Sequence, residues 1–205
     1  MSCQFWSLPD AELRVWPAFV SAAASHQLCQ HWLQHLAWQQ PQIRLYGRAV
    51  AIPRLQLWMG DDDAHYRYSG TLFTPAPWQP EIQQLAERIA LVAGQRFNSV
   101  LLNLYRDGQD AMGWHSDDEP ELGREPLIAS LSLGASRRFL LAHRQYPYKC
   151  EIGLNDGDLL LMAGPTQHHW RHAIPRQANC HQPRINLTFR RIMPRPGAAA
   201  GGGST

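Results

Sequence analysis

From residue 99 onward the chain is a run of short, β-branched or leucine-rich segments, at 99–105, 127–133, 137–143, 149–154, 158–163, 168–174 and 184–191. Turn residues such as Asn155-Asp156-Gly157 close them. A strand this short cannot bury its apolar side alone, and many in succession close into a sandwich or a jelly roll. Ahead of them the pattern is helical twice. Between about Ser25 and Gln39, Leu28, Trp32 and Leu36, with the adjacent Leu33, recur at helical spacing until Pro41 stops the run. A second helix is expected from Pro80, an N1 proline, through Ile82, Leu85, Ile89 and Val92 to Gly94. Residues 1–20 read as a loosely structured lead-in ending at Pro17. Residues 43–80 read as β-prone pieces divided by Gly47, Pro53, Asp61-Asp62-Asp63, Gly70, Pro75 and Pro77. The expected class is α+β, mainly β.

The chain has 205 residues, 44% of them apolar, enough for one compact domain. A net charge of +2 does not by itself announce a nucleic-acid binder. Of 19 basic residues only Lys149 is a lysine. Arginine's planar fork suits carboxylate and phosphate, although genomic base composition is the plainer cause of the surface arginines. Cys3, Cys29, Cys150 and Cys180 show no CxxC and read as reduced cytosolic thiols. The first residues form no signal h-region, and no apolar run is long enough to cross a bilayer. A soluble, cytoplasmic, monomeric protein with no membrane partner is expected. The tail PRPGAAAGGGST is low-complexity and expected to be disordered.

His115-Ser116-Asp117 is the only His-x-Asp in the chain. On extended backbone, positions i and i+2 point the same way, so imidazole and carboxylate can share a metal ion. His168, His169 and His172 follow on another expected strand. Two histidines and a carboxylate with the remaining positions open suit a non-haem Fe(II) oxygenase, and zinc hydrolysis competes for the same ligands. Alone, the His-x-Asp reads more readily as a surface turn in the Asp117-Asp118-Glu119 run and needs a partner. The segment Arg184–Arg190 alternates strictly, with Ile185, Leu187 and Phe189 on one face and Arg184, Asn186, Thr188 and Arg190 on the other. Its two arginines lie roughly 20 Å apart along a strand and could bracket a small dicarboxylate; a solvated polar face would look the same. In Val100–Tyr105, Asn103 and Tyr105 share a face, and a mid-strand asparagine in so apolar a segment usually has a specific partner.

The ordered motifs NLYRDG (103–108), WHSDDE (114–119), IASLSLGASRRF (128–139), GDLLLM (157–162), HWRHAIP (169–175) and PRINLTFR (183–190) resemble the AlkB family of nucleic-acid repair dioxygenases. With PRLQLW and YRYSGTLFTPAPW upstream, the resemblance covers roughly residues 43 to 191 and is nearest to the duplex-DNA-preferring members. It implies a double-stranded β-helix (jelly roll) with N-terminal helices and a nucleotide-recognition lid. The division would be a lead-in and helix (1–42), a lid with its supporting helix (43–98), a catalytic core (99–194) and a disordered tail (195–205), with 43–194 one dioxygenase domain. It implies Fe(II), 2-oxoglutarate and O2 as cofactors, with His115, Asp117 and His172 as iron ligands. Arg184, assisted by Tyr105, would bind the distal carboxylate of 2-oxoglutarate. Arg190 would lie near the chelating end, and Asn103 and Asn186 would contact the co-substrate. Glu119 would hydrogen-bond the damaged base, and Tyr66 and Tyr68 would line the lesion pocket, where ordinary strand packing explains them as well. Tyr46, in Leu45-Tyr46-Gly47, stands where a base-replacing finger is expected, or in a buried hairpin. The implied partner is alkylated DNA, single- or double-stranded, with RNA as an alternative. The implied reaction is oxidative dealkylation with release of aldehyde, succinate and CO2. The competing readings are an RNA or protein demethylase of the same chemistry, and an inactive nucleic-acid-binding module.

Overall fold

A computed structural model of the chain describes residues 2–45, 47–64, 66–68 and 71–193. In order they form β1 (Gln4–Leu8), β2 (Ala11–Trp16), α1 (Ala22–His35), β3 (Gln42–Leu45), β4 (Arg48–Ala51), β5 (Leu55–Gly60), β6 (Tyr66–Tyr68), β7 (Thr71–Phe73) and α2 (Pro80–Ala93). There follow β8 (Ser99–Tyr105), β9 (Met112–His115), a short 3-10 turn (Pro120–Leu122), β10 (Ile128–Gly134), β11 (Arg137–His143), β12 (Lys149–Leu154), β13 (Leu159–Ala163), α3 (Thr166–His169), β14 (Trp170–Ile174) and β15 (Arg184–Arg190).

From β8 onward successive strands alternate between two sheets, except that β11 and β12 form a hairpin within one of them, giving the orders β13-β10-β15-β8 and β12-β11-β14-β9. This is a jelly roll, the double-stranded β-helix expected from the motifs. Every pairing within the two sheets is antiparallel. The first sheet is longer because β5 pairs with β8 on one side and β2, carrying β1, pairs with β13 on the other. Sequence pattern made residues 1–20 a loose lead-in, and here the structure differs. Leu13, Val15 and Trp16 are buried, and the hairpin covers what would otherwise be an open β13 edge. The alternation was hidden because Pro9-Asp10 reads as a breaker; Asp10 turns the hairpin at φ 54.

Two cores follow from the layering. One lies between the long sheet and the helices, where Trp32 of α1 and Ile82, Leu85 and Ile89 of α2 meet Leu102, Leu131, Ile185, Leu187 and Phe189. The other lies between the sheets and includes Ile128, Phe139, Leu141, Ile152, Met162, Trp170 and Ile174. Helix α2 starts at Pro80 and ends at left-handed Gly94, as its sequence signals indicate. Helix α1 begins earlier than the apolar period suggests, because Ser21 caps it by accepting from the amide of Ala24, and it ends at His35, short of Pro41. Gly157, at φ +79, lies where a β-carbon would meet the carbonyl oxygen of Val20 at 2.0 Å. The segment leading into α1 packs on that turn.

The strand expected at 168–174 starts later. His168 and His169 close α3, and β14 begins at Trp170. The ribbons β3–β4 and β6–β7 pair with neither main sheet. Tyr46 and the tail 195–205 lie outside the described residues, as do the side chains of Tyr66 and Tyr68.

Leu13, only 2% exposed, tests whether the hairpin belongs to the folded core. Leu13→Ala should cost about 2–5 kcal/mol in denaturant unfolding. A change within about 0.5 kcal/mol, as for an exposed site, would return this segment to a lead-in.

Candidate functional site

The polar face of β15 does not meet solvent. It points between the sheets, where Arg184 is 1% exposed, and Asn186 and Thr188 are also buried. Register places Arg184 beside Tyr105 and Asn186 beside Asn103. On the other flank, Asn186 Nδ2 donates to Ser130 Oγ (2.8 Å) and Arg184 Nη2 donates to Ser132 Oγ (2.8 Å). Asn103 Oδ1 accepts from Arg54 Nε (2.9 Å), the specific partner its apolar strand calls for. Opposite stands the short sheet, from which His115, Phe139 and His172 enter the same pocket; Arg184 and Arg190 both line it. Ser130, Ser132 and Arg54 were not singled out from sequence. The two serines had a signal, since they alternate on one face of an otherwise apolar strand.

His115 and His172 are cross-strand partners on β9 and β14, with ring centroids 4.2 Å apart. Asp117 lies just beyond β9, and its backbone N–H donates to Gln167 Oε1 (2.9 Å), a fully buried side chain of α3. That bond holds the carboxylate toward the histidines, with Oδ2 3.8 Å from His172 Nε2. Donor atoms of His115, Asp117 and His172 all lie within 4.8 Å of one another. His115 Nδ1 faces the carbonyl oxygen of Gly113 at 2.9 Å, so Nδ1 carries a proton and Nε2 is the nitrogen turned to a metal. Burial, with His115 adding to it, pushes the His172 imidazole down to about 3 against the pull of Asp117, so the ring is neutral. Burial would raise Asp117, but Arg190, His172 and His115 together hold its carboxyl below the usual range. Arg190 Nη2 donates to Asp117 Oδ1. Two imidazoles and a carboxylate are a ligand set for a divalent transition metal.

A second cluster, Asp10, His143 and His169, has comparable spacing. Its hydrogen bonding is of the opposite kind. His143 Nδ1 accepts from the backbone N–H groups of Gln145 and Tyr146, both at 3.1 Å. Its proton therefore sits on Nε2 and points at Asp10 Oδ2, 3.4 Å away. A metal would have to displace that proton, so this cluster is a polar tie between β11 and the turn of the β1–β2 hairpin. His168 faces the carbonyl oxygen of Arg124 and is exposed. Of the three clustered histidines, His172 alone reaches the pocket.

At the far end of the pocket, Arg184 Nε and Nη1 are buried and have no hydrogen-bond partner among the described residues. Burial lowers its guanidinium to about 10. A buried cation with two free donors is costly unless an anion meets it, and a ligand carboxylate fits the fork. Near the metal ligands, Glu119 Oε2 is likewise buried without a partner. Burial raises the Glu119 carboxyl, opposed by nearby Arg190.

Residues 12–190 match the family model of the 2OG-Fe(II) oxygenase superfamily. The chain belongs to that superfamily. The oxygenase is 38% identical over 195 residues to the human alpha-ketoglutarate-dependent dioxygenase alkB homolog 3, covering 90% of this chain and 68% of the relative. It is 41% identical over 160 residues to the Bos taurus DNA oxidative demethylase ALKBH2, covering 74% of this chain and 58% of the relative. The solved structure of OsALKBH1 shares the fold of the oxygenase, with a TM-score of 0.68 at 17% identity over 93% of this chain and 100% of that one. No helix among the described residues is long and apolar enough to cross a membrane.

The two clusters should differ in metal binding. Removing an outer-shell partner of a metal ligand costs roughly 10–100-fold in affinity, so Asp117→Ala should lose at least that much for Mn(II) or Co(II) by calorimetry. His143→Ala should keep one metal per chain at the parent affinity. Loss of a second bound metal on changing His143 would overturn the assignment of that cluster.

Proposed function

We propose that this chain oxidatively dealkylates N-alkylated bases in DNA, releasing aldehyde, succinate and CO2. The observation that carries the reading is the pairing of the His115, Asp117 and His172 group, whose two histidines line the pocket, with a buried arginine in the same pocket that has free donors. The similarity to DNA oxidative demethylase ALKBH2 supports the choice of substrate. His115, Asp117 and His172 would hold Fe(II). Arg184, with Tyr105 beside it, would bind the distal carboxylate of 2-oxoglutarate. Asn103 and Asn186 would contact the body of the co-substrate. Arg190, fixed by Asp117, would stand near its chelating end. Bound together, Fe(II) and 2-oxoglutarate supply the O2-dependent oxidation of the N-alkyl carbon.

The protein's own contribution is orientation, charge and exclusion of water. Met112, Phe139, Met162 and Ile174 form the apolar wall of the pocket. Glu119, its carboxyl raised by burial, would return to the charged form beside a cationic alkylated base. An undamaged neutral base offers no such gain, which supports selection for the lesion. The two ribbons outside the main sheets would form the nucleotide-recognition lid. Ile43 of β3 and Val50 of β4 are 46% and 41% exposed, apolar surface that suits a docked nucleic acid. The contacts assigned to Tyr46, Tyr66 and Tyr68 rest on the sequence resemblance.

The test is incubation of the protein with Fe(II), labelled 2-oxoglutarate and N-methylated oligonucleotides as duplex DNA, single-stranded DNA and RNA. Succinate and formaldehyde should appear in equal amounts with DNA; succinate uncoupled from demethylation of every oligonucleotide would sink the reading. Arg184→Met should raise the KM for 2-oxoglutarate by orders of magnitude, since loss of one partner of a buried charge pair costs about 3–5 kcal/mol. Its affinity for iron should hold. Tyr46→Ala should slow duplex repair about tenfold or more and single-strand repair much less, because base–aromatic stacking is worth about 1–3 kcal/mol. Equal losses on both substrates would make Tyr46 a packing residue.

A further inference from the structure

Arg137 opens β11 and is 1% exposed, yet among the described residues its guanidinium hydrogen-bonds no carboxylate, Asp110 lying only within electrostatic reach. Nε donates to Gln177 Oε1 (3.2 Å) and Nη1 to the carbonyl oxygen of Asp107 (3.1 Å). Nη2 donates to the carbonyl oxygens of Asp110 and Pro175, each at 2.8 Å. Its four acceptors come from two connections, the one after β8 and the one after β14. The same connections are laced by backbone bonds, Gly108 N–H to Cys180 O (2.7 Å) and Gln177 N–H to Gly108 O (2.8 Å). At Gly108 a β-carbon would meet Gln177 O at 1.7 Å, so the approach is closed to any side chain.

The guanidinium carbon of Arg137 also lies 5.4 Å from the ring centroid of Tyr105, and that of Arg184 lies 5.3 Å from the same ring. One phenol ring therefore serves two buried cations. Packing alone does not account for this. Holding two loops together needs neither a second charge nor contact with the ring beside Arg184, and a buried cation is costly where carbonyls are its acceptors. Arg184 and Tyr105 are register partners at the same end of the long sheet, where the unpaired nitrogens of Arg184 wait.

We propose that Arg137 is a positioning residue for the distal carboxylate of the 2-oxo dicarboxylic acid co-substrate. It clamps the two connections, fixes the Tyr105 ring and thereby aims the free donors of Arg184. It also adds a second positive charge at that end of the pocket. The inference rests on the reading of Arg184 given above, and it makes Arg137 selective for dicarboxylates without touching them.

The test is calorimetric titration of the full chain, loaded with Mn(II) and without turnover, using 2-oxoglutarate and pyruvate. Pyruvate keeps the 2-oxo acid and lacks the distal carboxylate. Arg137→Met should weaken 2-oxoglutarate by roughly tenfold or more, the range of an outer-shell partner. Affinities for Mn(II) and for pyruvate should stay at the parent level. Equal weakening of both acids would mean general loosening of the pocket and would overturn the proposal, as would unchanged 2-oxoglutarate affinity. Should Arg137→Met fail to fold, Gln177→Ala removes one acceptor of the clamp from a half-buried position. It should weaken 2-oxoglutarate several-fold and leave pyruvate alone; no change with either acid overturns the proposal. Arg184→Met, run in parallel, separates the two levels. If it binds 2-oxoglutarate like the parent, the co-substrate assignment itself falls. If it loses that binding while Arg137→Met keeps it, the role of Arg137 alone falls.

Discussion

Strand β15 is hydrogen-bonded on both sides, to β8 and to β10, and both its faces are buried. Its apolar residues Ile185, Leu187 and Phe189 close the core under the helices. Its polar residues must then lie in the interior between the sheets, where each donor needs a partner. Ser130, Ser132 and Asp117 supply some of these, and the donors left over on Arg184 define where a ligand anion fits. The site follows from this geometry. A polar strand face placed in the middle of a jelly roll is a binding pocket once the second sheet covers it.

The short sheet brings the His115, Asp117 and His172 group together by register. Pairing of His115 with His172 puts two imidazoles side by side, and Gln167 turns the chain after β9 so that Asp117 joins them. The second cluster shows that three ligand types in reach of one another are not enough. At His115 the backbone offers a carbonyl to Nδ1, and at His143 it offers two N–H groups. The first leaves Nε2 for a cation; the second leaves a proton for Asp10. The same contact fastens the N-terminal hairpin to the sandwich, together with the indole N–H of Trp170 donating to Pro9 O (2.9 Å).

Two buried cations, Arg137 and Arg184, lie against the one Tyr105 ring, while Arg190 is matched by Asp117. Such an arrangement costs stability in the free protein and is relieved by an anion, so ligand binding and folding stability are linked here.

The jelly roll, both long helices and the convergence of His115, Asp117 and His172 were legible from sequence, because turn-bounded short strands and ordered motifs each narrow the choices. The strict alternation of Arg184–Arg190 announced two faces, but periodicity is blind to whether a polar face meets water or a pocket; sheet-on-sheet packing decided that it is buried. The β1–β2 hairpin was missed because its strands acquire their partner only when β13, more than a hundred residues downstream, arrives beside them. Local pattern cannot report such a contact. Nor can it report which nitrogen of a histidine holds the proton, since that is set by the backbone groups folded against the ring. Sequence by itself determined which chemical groups the chain carries and the order in which they stand along its strands. Tertiary structure decided which of them are desolvated, which are left unpaired and which face one another, because burial and hydrogen-bond satisfaction are properties of the packed sheets and not of any segment alone.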